Sequence, residues 1–422
     1  MLPRAKRGVL RRSDAGFAAL FFAILTLAVI FAIGLSVAVL TFGQQIISGN
    51  ITKSTQAYFS DEAGIEDALL RLAKGKSWSS TYTLAVENVS TNVAISDVIG
   101  GSRTITSRGD SLSRIRKSQV VYQISIAEAS FFFGAQAGDG GMDMKNNAII
   151  HGNVFSNGDI MGDNNSLVDN SVVVSGHHQI NKGKIGGDVL VYDCVGADIT
   201  GQLTYVNSNS CTADGGIQQQ ADEIDPVPLP ITQSQIDDWK VEAANGDVIE
   251  NDVAISGTQS LGAVQIGTPA DPKSLTVDGT LNMTGTIYVT GDATFNGTTH
   301  LDSDYGSYSG VIIADGKINV ENGATLTGSG QIGSYILVLS TNNSLDPLSP
   351  AIYVKNHGAA SIFYTTSGLL YLKNEMDARE ITGYKIQIDP NAEIFYESGL
   401  SDLHFSGGPG GGWVVTSWKE IE

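Results

Sequence analysis

Four glycines, Gly279, Gly285, Gly291 and Gly297, stand six residues apart in the stretch SLTVDGTLNMTGTIYVTGDATFNG. Apolar pairs keep the same period: Leu275/Val277, Leu281/Met283, Ile287/Val289 and Ala293/Phe295. Residues at i and i+2 share one face of a strand, and the glycine that follows frees the backbone to turn a corner. A sustained period of six is the signature of a β-helix, whose short strands stack coil on coil around one continuous core. A looser echo runs through Gly310, Gly316, Gly323 and Gly328, and an earlier one through Gly152 and Gly158. Towards the C-terminus, GLLYLKN and ITGYKIQIDPNAEIFYE keep the strand rhythm with fewer glycines. A solenoid is therefore expected over 131–422, interrupted at 212–250. In that insertion Pro226, Pro228 and Pro230 stiffen the chain, and Thr232-Gln233-Ser234-Gln235 reads as a capping box opening a helix that stops near Asn245-Gly246. The insertion reads as a strap crossing the solenoid, and the tail as a glycine loop at 407–412 before a last strand holding Trp413 and Trp418.

The other end of the chain constrains location. Residues Phe17 to Phe42 form an uncharged apolar run, preceded by Arg4, Lys6, Arg7, Arg11 and Arg12. That run is long enough to cross a bilayer as one helix. Basic residues stay on the cytoplasmic side, which would leave the bulk of the chain outside. A cleaved signal peptide fits less well, because the run exceeds an ordinary h-region and no small-residue cleavage site follows it. The expected divisions are a basic leader at 1–16, a transmembrane helix at 17–42 and an amphipathic extension at 43–74. No proline interrupts the extension, and Ile65, Ala68, Leu69 and Leu72 recur at helical spacing, with Asp61, Glu62, Glu66 and Asp67 assigned to the solvent face. At ~1.5 Å per residue the helix would run about 85 Å. Residues 75–130 alternate in the β manner and predict a small antiparallel sheet packed on that helix. The overall expectation is a mainly β protein: a long N-terminal transmembrane and amphipathic helix, a small sheet, then a glycine-hexad β-helix.

Composition narrows the partners. The formal net charge is −19, of which residues 1–16 contribute +4, so the remainder carries −23. An acidic exported body disfavours nucleic acid and anionic lipid as targets. Cys194 and Cys211 sit 17 apart in the exported part, where a disulfide is permitted; two free thiols are the alternative.

The N-terminal residues also carry a resemblance. Gly16-Phe17 after a basic leader, the long apolar helix, and AYFSDEAG at 57–64 followed by IEDALLRL resemble the N-terminal region of PilX-type minor type IV pilins. The glycine-hexad body and closing Trp418-Lys419-Glu420 look like the β-helical bodies attached to such N-termini. The resemblance implies cleavage after Gly16 by a prepilin peptidase and methylation of Phe17. It implies partnership with membrane lipid, the peptidase and other pilin-like subunits. Most major pilins place glutamate at the fifth mature position; here that position is Phe21, which cannot neutralise a neighbour's terminal amine. The resemblance then points away from a bulk filament subunit and towards a minor, tip or initiating one.

Signals for chemistry are sparse. Gly328-Ser329-Gly330-Gln331-Ile332-Gly333 matches a dinucleotide pattern, but the strand-like SYILVLS follows it where a helix is needed. Of six histidines, His151, His177 and His178 would be the nearest to a metal set, yet adjacent strand residues face opposite ways. Asp302 with Asp304 and Asp139 with Asp143 are the carboxylate pairs weighed for glycosidic acid/base work or calcium, against a reading as solvated turn residues. Tyr305, Tyr308, Phe363 and Tyr364 are weighed as a sugar-stacking strip against core packing, and Arg108-Gly109-Asp110 as a receptor-binding triplet against a turn. The sequence thus predicts no catalytic, cofactor or metal residues. It predicts a pilin-like, single-pass surface protein, a minor or tip subunit or adhesin-like scaffold with a carbohydrate or protein ligand. The alternatives are an anchored carbohydrate-active β-helix and an envelope protein that never enters a pilus.

Overall fold

The computed structural model describes residues 15–73, 79–86, 89–96, 102–124, 126–129, 131–355, 361–373, 375–397, 400–401, 403–406 and 413–421. The basic leader up to Asp14, His357 and the glycine loop at 407–412 lie outside the described residues.

One helix, α1 (Ala15–Ala73), runs unbroken through the apolar run and its extension. Its first part is exposed along its length and forms a single candidate membrane span by length and composition. Its second part lies on an antiparallel sheet built from β1 (Thr81–Val86), β2 (Val89–Ile95), β3 (Ser102–Ser111) and β4 (Arg114–Ile124). Strict alternation in β2 turns Val89, Thr91, Val93 and Ile95 towards the helix, as period-two strands require. Ile65 and Ala68 meet Val93, Ile95, Ile105, Val120 and Tyr122 in a compact core, with Leu69 and Leu72 at its edge. Close approach is possible because Gly109 has no side chain; a Cβ there would lie 2.2 Å from the Ala57 carbonyl oxygen.

Two expectations are corrected in this region. The final strand, Trp413–Glu420, does not belong to the solenoid: it pairs antiparallel with β4 and completes the sheet under α1. Asp61 is not on the solvent face. It is fully buried against the sheet, because the interface at this turn is polar: Ser60, Thr91, Ser107 and Ser118 are buried with it.

The solenoid is a parallel β-helix with three strands per coil. Leu275–Val277, Thr280–Met283 and Ile287–Val289 are three consecutive hexads and make the three sides of one coil. The next coil stacks on it with Leu275 opposite Ala293, 18 residues later. Hexads therefore pair with every third neighbour, not with the adjacent one. Inward residues such as Leu275, Val277, Leu281, Met283, Ile287 and Val289 are fully buried.

The chain enters this stack at its middle. Ala135–Met144 begins a series of coils that proceeds through Val154–Ser156, Val172–Val174, Val189–Val195 and Leu203–Asn209 to Ile217–Gln219 at one end. The chain then returns along the outside and re-enters at the far end with Asp247–Ile249. From there it winds back until Glu380–Ile388 pairs with Ala135–Met144. Both halves advance in the same axial direction, so the stack is one continuous solenoid whose chain has been cut in the middle and rejoined at the ends. The expected insertion is narrower than 212–250, because Thr212–Ala213, Ile217–Gln219 and Asp247–Ile249 are coil strands.

The return segment touches successive coils in order. The Gly176 N–H donates to Ile224, Asn157 exchanges bonds with Val227, Gln136 donates to Pro228, and the Tyr364 hydroxyl donates to Ile231. It ends in α2 (Gln233–Gly246), which opens with the expected capping box: Thr232 accepts from the Gln235 N–H while the Gln235 side chain accepts from the Thr232 N–H. Ile236, Trp239 and Ala243 close a second core over the outward residues Tyr288, Val311, Ile313, Leu337 and Leu339.

Candidate functional site

The side chains singled out in the sequence do not converge. Phe17 stands exposed near the start of α1, and Phe21 is likewise exposed on the apolar segment. Cys194 and Cys211 are joined by a disulfide with a Cα separation of 5.7 Å, which ties together the last coils at one end of the stack. His151 stacks on Phe395 and lies 2.7 Å from Asp169. His177 pairs with Glu223 at 2.7 Å, and His178 with Asp159 at 3.1 Å. His151 and His178 thus bridge neighbouring coils, while His177 ties a coil to the return segment.

Asp302 and Asp143 are similarly occupied. Asp302 caps a short 3-10 turn by accepting from the Asp304 N–H and also accepts from the Asn282 amide. Asp143 lies 3.6 Å from Lys385 on the next coil. Tyr305, Phe363 and Tyr364 are fully buried and make core, while Tyr308 packs at its edge, so they present no stacking strip. Gly328-Ser329-Gly330 belongs to a corner in which Gly330 and Gly333 have positive φ, and the strand Ile336–Ser340 follows. Arg108-Gly109-Asp110 is on β3, with Arg108 paired to Asp110 at 3.2 Å and Gly109 facing α1.

Three buried carboxyls were not legible as such in the sequence. Glu380 points out of the stack beneath the strap, where burial drives its pKa up; Thr382 donates to it at 2.5 Å and only partly offsets this. Glu242 on α2 has its pKa pushed up to about 7 by burial, opposed by a 3.3 Å bond from Thr286. Asp61 is raised by burial under the sheet, against the opposing pull of the Ser118 and Ser107 hydroxyls. Neither Asp61 oxygen makes a well-formed hydrogen bond, so burial dominates. Asp315 goes the other way: burial opposes its ionisation, but Lys240, Tyr288 and Thr341 outweigh it and hold the pKa low. Lys240 reaches Asp315 at 2.5 Å and lies over the Tyr288 ring, which pins α2 to its coil. Only the capping box announced α2; nothing in the local pattern announced which carboxyls it would cover.

What the stack offers outward is a flat polar array. On one side of the second half, Thr258, Thr280, Thr298 and Thr325 lie in register on consecutive coils, beside Ser260, Asn282, His300 and Thr327. Outward strand positions can carry hydroxyls without cost because the core is built from the alternate residues. Such an array can hydrogen-bond an extended ligand.

No known family profile matches the chain, and no curated protein matches it. Among solved structures it is similar to the competence-associated pilin ComZ from Thermus thermophilus, at 13% identity and TM-score 0.21 over 88% of this chain and 98% of that one. It is also similar to an ice binding protein from an Antarctic bacterium, Flavobacteriaceae, at 12% identity and TM-score 0.21, over 62% of this chain and 81% of that one.

Proposed function

We propose that the protein is a pilin-like, membrane-anchored display subunit whose ectodomain is a rigid β-helix. The observation that carries this reading is α1: one continuous helix, wholly exposed and apolar over its first part, then buried against an antiparallel sheet over its second. A helix of that form wants lipid or like helices along one half and its own globular body along the other. In this reading a prepilin peptidase cleaves after Gly16, Phe17 becomes the methylated N-terminus, and the bulk lies outside the membrane. Phe21 makes the chain a minor, initiating or tip subunit, because it offers no carboxylate to a neighbour's amine. The hydroxyl array is the surface presented to a carbohydrate or protein ligand. Intact-mass analysis of the chain coexpressed with a prepilin peptidase tests the reading. The expected product begins at N-methylated Phe17, and a chain retaining residues 1–16 would refute processing.

A further inference from the structure

The net charge hides a strong asymmetry along α1. No acid occurs between Phe17 and Ser60, and Lys53 is the one charged residue in that stretch. Beside this segment lies the β3–β4 hairpin, whose helix contacts step back towards the apolar end. Gly109 sits against Ala57, Ser111 bonds Gln56, Arg116 donates to Ser54 and Arg114 donates to Asn50. The hairpin tip, Leu112-Ser113, therefore points to the membrane side of the body. Leu112 is 76% exposed and Ile115 51%.

Basic groups gather there. Lys53, Arg108, Arg114, Arg116 and Lys117 lie there, with Arg108 paired to Asp110 and Arg116 to Glu420, in a chain whose net charge is −19. Among the described residues, neither Arg114 nor Lys117 pairs with a carboxylate. Meanwhile the uncharged part of α1, Phe17 to Thr52, extends roughly 54 Å, against a hydrocarbon core of ~30 Å. The helix alone does not fix its own depth, since Ile46, Ile47 and Ile51 are as exposed and apolar as the residues before them.

From this juxtaposition we infer that the β3–β4 hairpin docks on anionic phospholipid headgroups of the membrane that α1 crosses, with Leu112 and Ile115 dipping into the interface and Arg114 and Lys117 on the phosphates. The inference rests on α1 being a membrane anchor. It revises what overall charge implies: the body as a whole repels anionic lipid, but its membrane-facing tip attracts it. Basic residues near an anionic surface and apolar side chains at the headgroup boundary act together in such docking.

The test uses the full chain in lipid nanodiscs with an environment-sensitive dye on Ser113→Cys; the native cysteines are already bonded to each other. In discs containing anionic phosphatidylglycerol the dye should shift to the blue and be quenched by nitroxide lipid, and 1 M salt should reverse both. Discs of phosphatidylcholine should show neither change. Arg114→Gln with Lys117→Gln should lower the inserted-to-free ratio roughly 30-fold, and Leu112→Ser with Ile115→Ser should lower it independently. A dye on Ile332→Cys, on a solenoid loop where that residue is exposed, should stay unchanged throughout. An unchanged Ser113 dye in a chain that is held by the disc overturns the docking alone. A chain recovered free of lipid overturns the anchor and the docking together. A shift produced by inorganic phosphate or by a single-stranded oligonucleotide in neutral discs also overturns it, in favour of a free-anion or nucleic-acid surface.

Discussion

Gly257, Gly279 and Gly297 occupy the same corner on three successive coils, yet their surroundings differ. A Cβ on Gly297 would stand 2.0 Å from the Gly279 carbonyl oxygen, and one on Gly279 would stand 2.2 Å from that of Gly257. Gly257 lies on the outermost coil and has nothing within 4 Å. The rhythm therefore reports coil-on-coil contact and not merely freedom to turn. Gly297→Ala should destabilise the protein by about 1–3 kcal/mol, since backbone must shift, whereas Gly257→Ala should change it by less than ~0.5 kcal/mol. Denaturant midpoints of the two variants decide this; equal losses would sink the contact argument. Glu242 supplies a second residue-scale prediction. Its folded pKa, about 7, exceeds the ordinary 4.5, so the folded state holds the proton more tightly. The stability it contributes is complete below pH 4.5 and is lost as pH rises through 7. Glu242→Gln should therefore raise the melting temperature at pH 8 and leave it nearly unchanged at pH 5. A shift of equal size at both values would show that packing, not ionisation, is responsible.

At the scale of elements, the ends of the stack are where order should fail first, because an end coil has a neighbour on one side only. Ile217–Gln219 is exposed at every residue. The Cys194–Cys211 disulfide holds this end, and closing a loop of that size is worth about 3 kcal/mol. Replacing both cysteines by serine should speed amide exchange across 198–219 while coils around Ile287–Val289 keep their protection. Uniform loss of protection along the whole stack would show a single cooperative unit instead. The same scale explains what could be read in advance. The hexads were legible because those coils are uninterrupted and 18 residues long. Elsewhere the coil length falls to 14, as between Val189 and Leu203, and some turns place Asn147, Lys182, Glu375 or Asn391 at positive φ, a conformation that none of the four hexad glycines adopts. Period and glycine content then both fade, although the stacking is the same. The final strand was illegible for another reason: its partner, β4, lies some three hundred residues earlier, and local alternation carries no record of such pairing. Asp61 was misplaced because helical periodicity finds the apolar stripe but not a polar patch within the buried face.

For the whole molecule, the axial order of coils differs from the order of the chain, and that difference is testable. Read along the stack, residues 247–397 precede 131–219, and the seam is already closed by contacts: the Tyr396 hydroxyl donates to the Phe131 carbonyl at 2.7 Å, and the Phe131 N–H donates to Leu400. The strap carries the chain back from one end to the other and seals the outward core with Trp239 and Ile236. A permutant that joins Ser406 to Phe131 through a glycine link, with new termini between Gln219 and Gln220, keeps the coil pairings, α2 and the packing of Leu403 and Phe405 on Trp239. It should retain the β signature in circular dichroism and unfold in one cooperative transition, because chain ends at a surface loop cost little. It lacks the α1 body, whose contacts with the solenoid, among the described residues, include those around the entry at Phe131 and the exit at Leu403–Ser406. If the permutant fails to fold while the parent solenoid keeps its structure, then the strap directs assembly of the coils and is more than a return path. If it folds, the β-helix is set by its stacking alone, and the cut at its middle is what lets both ends of the solenoid segment meet the α1 body.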